Sequence, residues 1–433
     1  MNITLLEKNL TVAIFEFNID NRTCGIMIII YNRSLVRFEK ECPLLENLNL
    51  FYRDTWVEID LDAIEHNVKC IKKTLPNDVK IMAAVKANGY GHGAVHVAKA
   101  AINAGANYLG VAILDEAIAL RKQGIDAPIL VLGWVRPSDI NFAAKNNIAL
   151  TVFQEEWLKE AKQYLQKDLI CSFHLKIDTG MGRIGIRTKN EGKAVIDCIK
   201  SDDQYVLEGV YTHFATADEK NLDYFQMQYN RFLDMLEWLK EYEVNVPYIH
   251  CGNSAATIRF PSKMFTMTRV GISMYGLAPA KEIEDEIPFA LKEAFSLRSK
   301  IIHVKEVNSN EGISYGATYK AEGKEWIATI PVGYADGWLR QNSNNGYVLV
   351  DGQRAPIVGR VCMDQMMVKL NKNVAIGTEV TLIGQQNDEV IAIDEVACRL
   401  GTINYEIPCM ISYRVPRVFM KNGEIITINN EVF

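Results

Sequence analysis

Ile81-Met82-Ala83-Ala84-Val85-Lys86-Ala87-Asn88-Gly89-Tyr90-Gly91-His92-Gly93 is the stretch that decides how this chain of 433 residues is read. Five apolar residues run without a break, the pattern of a strand covered on both faces, as in a parallel sheet. The run stops on Lys86. Three glycines in five positions follow, then the helical spacing of Val95, Val97, Ala98, Ala101 and Ile102, closed by Gly105. A lysine where a parallel strand gives way to its loop stands at the face where α/β folds bind ligands. In apolar surroundings its amine can lose a proton and form a Schiff base with an aldehyde. Taken alone, a solvated lysine at a strand end is the commoner reading.

Outward from this unit the same rhythm repeats. Strand-like runs fall near 79–85, 107–113, 128–134, 148–153, 171–178, 206–213, 247–252 and 267–272, with helical segments such as Asp115–Gln123, Glu155–Leu165, Glu191–Lys200 and Leu222–Tyr242 between them. This periodicity predicts an α/β fold, and about eight βα units match a closed (β/α)8 TIM-type barrel. An open doubly wound sheet is the competing topology. Beyond about residue 290 come short alternating strands: Ser296–Val307, Glu325–Ile330, Gly346–Val350, Ala355–Val358, Met366–Leu370, Glu379–Ile383 and Ile425–Asn429. They predict a separate mainly-β domain. The expected organisation is an extension over 1–51, a barrel over 52–290 and a β domain over 291–433. Trp56–Ile59 reads as a short strand that could join either part, with Asp60 or Asp62 capping a helix through Cys70. In the extension, Thr11–Ile19 and Gly25–Tyr31 suggest a hairpin, and no role is assigned to it.

Composition excludes several classes. A net charge of −6 without a Lys/Arg cluster gives no reason to expect nucleic acid, and 48% hydrophobic with 23% charged residues describes a globular protein. Nine cysteines at irregular spacing, without a Cys-x-x-Cys pair, predict reduced thiols. With no secretory signal or apolar run long enough to span a bilayer, a cytoplasmic location and no membrane partner are expected.

Polar residues recur at the predicted strand ends. Lys176 with Asp178–Arg183 follows the fifth strand, Thr212–Ala215 ends the sixth, His250–Ser254 ends the seventh, and Arg269–Ile272 lies on the eighth. Small residues after the last two strands are where such barrels hold a phosphate, and Ser254, Gly271 and Ile272 suit that role. Singly, each has a plainer reading: His213 as a satisfied core histidine, Arg183 or Arg269 as a surface ion pair. His92 and His96 stand four apart as zinc-binding pairs do, but without the glutamate of that motif no metal is expected. A lysine at the first strand with a phosphate cradle at the last two points to pyridoxal phosphate.

At this point Val85–Gly93 resembles the cofactor-lysine signature of the alanine racemases. The resemblance continues through Asp178–Gly185, Thr212–Asp218, Asn253–Ala256, Arg269–Gly276, Gly312–Thr318, Val332–Gly337, Gly359–Gln365 and Thr402–Pro408, covering about residues 52–433 in order. It implies a pyridoxal 5'-phosphate-dependent isomerase that interconverts L- and D-alanine, supplying D-alanine for peptidoglycan. It further implies that Lys86 carries the cofactor and acts as one base, with Tyr315 as the other. Arg269 would face the pyridine nitrogen, with His213 linking it towards Tyr315. Tyr90, Ser254, Gly271, Ile272 and Tyr405 would hold the phosphate. Arg183 and the Met363 amide would bind the substrate carboxylate, and Tyr334 and Asp364 would line the entrance. In many members the lysine matching Lys176 is carbamylated and orients the arginine. Members are head-to-tail homodimers, so Tyr315 and Met363 would come from the partner chain. Gly89 and Cys251-Gly252 depart from the usual pattern without removing a functional atom. A serine-preferring or broad racemase, a barrel-type amino acid decarboxylase and a non-catalytic cofactor-binding barrel are the alternatives. The decarboxylase is disfavoured by Arg269, where an acidic residue would be expected, and the non-catalytic barrel by the β domain.

Overall fold

The computed structural model describes residues 11–19, 22–31 and 51–432. Two compact units divide the chain, residues 1–52 and 53–433. In the first, β1 (Thr11–Ile19) and β2 (Arg22–Tyr31) pair antiparallel, with a register shift between Glu16 and Asn18. Apart from Phe51, the rest of the predicted extension lies outside the described residues.

The second unit opens with β3 (Thr55–Asp60), whose even alternation of buried and half-buried residues marks a strand with one face in a core. The Asp60 carboxylate accepts the Asp62 and Ala63 N–H groups at 2.9 and 3.1 Å and so starts the helix Leu61–Thr74. That helix buries Ile64, Val68 and Ile71.

Eight parallel strands then close on themselves: β4 (Lys80–Ala84), β5 (Tyr108–Val111), β6 (Ile129–Val131), β7 (Ile148–Val152), β8 (Cys171–Lys176), β9 (Tyr205–Tyr211), β10 (Tyr248–His250) and β11 (Met267–Val270). Because the surrounding helices cover one face and the barrel interior the other, β5, β6, β7 and β11 are buried at every residue. Met82, Tyr108, Leu130, Ala149, Tyr211 and Met267 form a cluster of their own, separate from the main core.

The chain then builds a β domain from β12 (Phe295–Lys300), β13 (His303–Val307), β14 (Gly312–Ile313), β15 (Tyr319–Lys320), β16 (Glu325–Ile330), β17 (Tyr347–Val350), β18 (Gln353–Pro356), β19 (Met366–Leu370), β20 (Glu379–Gln386), β21 (Glu389–Ile391), β22 (Arg417–Lys421) and β23 (Glu424–Asn429). Its main sheet runs β18-β17-β20-β12-β3-β22-β23, and β13-β16-β19 form a second. Thus β3 is a strand of this sheet, antiparallel to β12 and parallel to β22. The stretch Ser296–Val307, expected as one strand, is two strands in different sheets. Its break is at Ile301 and Ile302, whose N–H groups donate to the carbonyls of Thr378, just before β20 of the main sheet, and of Thr329, in β16 of the second. Among the described residues no helix is long and apolar enough to cross a membrane.

Candidate active site

At the C-terminal mouth of the barrel lies a cavity of about 230 Å³, lined among others by Lys86, Tyr90, Lys176, Arg183, His213, Ser254, Arg269, Gly271, Ile272 and Tyr405. Ten of the candidate residues therefore converge on one space. Lys86 enters it from a turn of unusual backbone. Ala87, Asn88, Gly89 and Tyr90 all have left-handed φ, between 51° and 62°, which side chains other than glycine adopt at a cost of about 1 kcal/mol each. Partners fix the turn: the Ala87 N–H donates to Glu116 at 2.6 Å, the Ala94 N–H to Asn88 Oδ1 at 2.9 Å, and His92 Nδ1–H to the Tyr90 carbonyl at 2.9 Å. Glu116 reaches back from a later helix, and the Ala112 N–H donates to its other oxygen at 2.8 Å.

Arg269 sits at the floor, 5% exposed. Its Nη1–H donates to His250 Nδ1 at 2.8 Å, and Nη2 donates to the Thr212 and Cys251 carbonyls at 2.7 and 3.1 Å and to His213 Nδ1 at 3.2 Å. On the opposite wall the Gly271 N–H donates to Ser254 Oγ at 2.9 Å. A side chain at Gly271 would put its Cβ 2.6 Å from the Tyr90 hydroxyl, so any larger residue here would press Tyr90 out of place.

Burial and a surplus of cations set the protonation states. Lys86 is held below the usual lysine range by burial first and then by the Arg183 guanidinium. Lys176, 3% exposed with Nζ 4.4 Å above the Tyr211 ring, is held well below it by burial, Arg269 and Arg183. His213 is likewise driven well down, by burial and then Arg269.

The remaining candidates lie elsewhere in the chain. Tyr315 follows β14 and is 71% exposed; Met363 and Tyr334 are also exposed, and none of the three lines the cavity. Asp364 accepts from Arg414 at 2.8 Å. Sequence reasoning missed Tyr211, Leu132, Ile184 and Asn253 as lining residues. Asn253 carried a signal, since its side chain caps the helix Ser254–Arg259 that sets Ser254 in place. His92 is fully buried between Tyr275 and Phe295, and among the described residues no cluster is suited to a metal ion.

Residues 59–279 match the family model of the alanine racemase N-terminal domain, and residues 294–419 that of the alanine racemase C-terminal domain. The chain is 57% identical to the alanine racemase of Geobacillus stearothermophilus over 385 residues, 89% of this chain and 98% of the relative. It is 51% identical to alanine racemase 1 of Bacillus subtilis over 380 residues, 88% and 96% of the two chains. The crystal structure of alanine racemase from Bacillus anthracis with bound L-Ala-P matches with a TM-score of 0.86 and 54% identity, over 88% of this chain and 99% of that one. A histidine racemase from Leuconostoc mesenteroides matches with a TM-score of 0.77 and 33% identity, over 87% and 100%.

Proposed function

The chain belongs to the alanine racemase family and is an isomerase acting on alanine, and from that premise we propose that it works with pyridoxal 5'-phosphate and two bases, Lys86 and Tyr315, in shared active sites of a homodimer. The observation that carries this reading is the convergence of a desolvated lysine, a buried arginine and the small residues Ser254 and Gly271 on one cavity. When bound, the cofactor supplies an aldehyde for the substrate amine and a ring into which charge at Cα can spread.

The protein's own groups do the rest. Inversion at Cα needs a proton removed from one face and another delivered to the opposite face, hence two bases. Lys86 serves one face, and its lowered pKa keeps a larger neutral fraction ready to accept a proton. Tyr315, exposed on its own chain, serves the other face from the partner protomer. Tyr90, Ser254, Gly271, Ile272 and Tyr405 hold the phosphate; Gly271 leaves the space that this requires. Arg269 spends Nη1 and Nη2 on protein acceptors, which leaves its Nε edge for the ring nitrogen. Being a poor proton donor, it keeps that nitrogen unprotonated, and His213 extends its network towards Tyr315. Arg183 and the Met363 N–H bind the substrate carboxylate, and Tyr334 and Asp364 frame the entrance. A neutral, buried Lys176 is a nucleophile for carbon dioxide: its nitrogen bonds to the carbon, a C=O π pair moves to oxygen, a proton leaves to solvent, and the resulting carbamate would orient Arg183. D-Alanine for peptidoglycan, made in the cytoplasm, is the product this assigns.

The test is incubation with L-alanine in heavy water, followed by chiral analysis of the product and its deuterium content. D-Alanine labelled at Cα is expected from the wild type. Lys86→Ala should abolish both turnover and the absorbance at about 420 nm of the lysine-bound cofactor; persistence of that band would show that another lysine carries it.

A further inference from the structure

Inside the barrel, below Arg269, polar residues form one continuous line. Arg269 Nη1 donates to His250 Nδ1 at 2.8 Å, and His250 Nε2 lies 2.9 Å from His174 Nδ1. His174 Nε2 stands 3.4 Å from the Tyr108 hydroxyl and 3.8 Å from the Glu208 carboxylate. The Tyr108 hydroxyl is also held by Glu208. Both histidines are fully buried, whereas Glu208 is about one-third exposed and borders a cleft with Tyr108, Arg121 and Ser172 at the N-terminal end of the strands.

The two ends dictate the proton order. Arginine has only donors and a carboxylate only acceptors. Nη1–H makes His250 Nδ1 an acceptor, so the His250 proton sits on Nε2. That proton is donated to His174 Nδ1, and the His174 proton therefore sits on Nε2, facing Tyr108 and Glu208. No other order gives each contact one proton.

Two backbone features build the line. Phe173 opposes Leu207 while His174 opposes Gly209, so Glu208 is the extra residue of a β-bulge. A bulge interrupts the ladder and re-aims a side chain. Next to it, a Cβ at Gly209 would lie 2.3 Å from His174 Nδ1, so glycine makes room for the ring. The Tyr248 ring is stacked parallel to His174 with centroids 5.8 Å apart, and Tyr211 to His250 at 4.7 Å. Apolar side chains would fill the same volume without a bulge or unpaired polar groups.

We infer that Glu208, acting through Tyr108, His174 and His250, is a positioning residue for Arg269, aiming its guanidinium from the far end of the barrel. The inference rests on Arg269 facing the cofactor ring. Burial brings Arg269 down to about 10, with Tyr211 and Cys251 opposing that shift and Arg183 adding to it. Lys176 and His213 face it as well. Around the other end, His174, then Ser172 and Tyr108, hold Glu208 down against burial, and Arg121 acts on Tyr108. Without the Glu208 carboxylate the line loses the acceptor that fixes its proton order, and with it the hold on the direction of the Arg269 guanidinium.

The experiment is nitrogen NMR of the holoenzyme labelled with ¹⁵N-histidine, with signals assigned by single substitutions. His174 and His250 should both be neutral and protonated on Nε2 from about pH 6 to pH 9. A proton on Nδ1 of either ring, or a doubly protonated ring, overturns the relay without any variant needing to fold. Glu208→Gln keeps an acceptor oxygen and removes the charge. It should lower kcat about three- to tenfold with KM little changed, and move the His174 and His250 nitrogen signals as the line loses its charged acceptor. Unmoved ring signals with unmoved kcat overturn the proposal. Arg269→Glu separates the two claims: if it raises the ratio of transamination to racemisation while Glu208→Gln is inert, the Arg269 assignment stands and the relay falls. If that ratio is unmoved, the Arg269 assignment falls first.

Discussion

Mixing two inactive variants should restore activity to a calculable level. Lys86 lines the barrel-mouth cavity, while Tyr315 sits after β14 in the other domain, 71% exposed and away from that cavity on its own chain. If each site takes Lys86 from one protomer and Tyr315 from its partner, Lys86→Ala and Tyr315→Phe homodimers each have two defective sites. Random re-association at equal concentrations makes about half the dimers mixed. Each mixed dimer has one site carrying both natural residues and one carrying neither. Activity per total protein should therefore rise from background to about one quarter of wild type, with KM unchanged, because a quarter of all sites are intact. A second arm mixes wild type with the Lys86→Ala, Tyr315→Phe double variant. Every site of a mixed dimer then lacks one base, so activity should drop from about one half before exchange to about one quarter after it. The assay is initial-rate racemisation before and after subunit exchange, with exchange verified by native mass spectrometry on tagged protomers. Background activity in the first mixture together with an unchanged half in the second would place both bases on one chain, and the shared-site reasoning would be wrong.

Gly271→Ala should weaken cofactor binding tenfold or more while the chain stays folded, because its Cβ would press on the Tyr90 hydroxyl at 2.6 Å; such crowding costs about 1–3 kcal/mol, and an absorbance titration of cofactor-free protein reads it. Protein equilibrated with ¹³C-bicarbonate should show a carbamate carbon signal that disappears in Lys176→Ala, and its absence in the wild type would leave Arg183 without that support. His92 folds as a neutral ring, its pKa brought to about 4 by burial. Below pH 6.5 the unfolded chain gains a proton the folded chain refuses, so stability falls as pH drops from 6.5 and levels off near 4, by about 3 kcal/mol. Urea denaturation of His92→Gln should show a shallower loss over that interval, and an equal slope would refute the assignment.

The barrel was legible because strands enclosed on both faces leave unbroken apolar runs such as Ile148–Val152. The same property concealed the switch at Ile301 and Ile302, where an apolar pair looks like the middle of a strand but joins two sheets. Lys86 showed itself by ending such a run. Its left-handed turn did not, since Ala87 and Asn88 carry no signal for positive φ and the carboxylate that holds them, Glu116, lies far along the chain. Tyr315 had no local pattern of its own and was named by resemblance. Glu208 and His174 stayed hidden because a one-residue bulge is a property of pairing between strands, and a single sequence does not contain the register.

The position of β3 between β12 and β22 sets an order of assembly during synthesis. Residues 55–60 leave the ribosome before any barrel strand, yet both of their sheet neighbours are made hundreds of residues later. The barrel can close while that early segment waits with bare backbone edges, a sticky template for any other nascent chain. A message interrupted before Arg417 would leave one edge permanently unmatched, and such truncated products should be aggregation-prone and quickly degraded rather than slightly less stable.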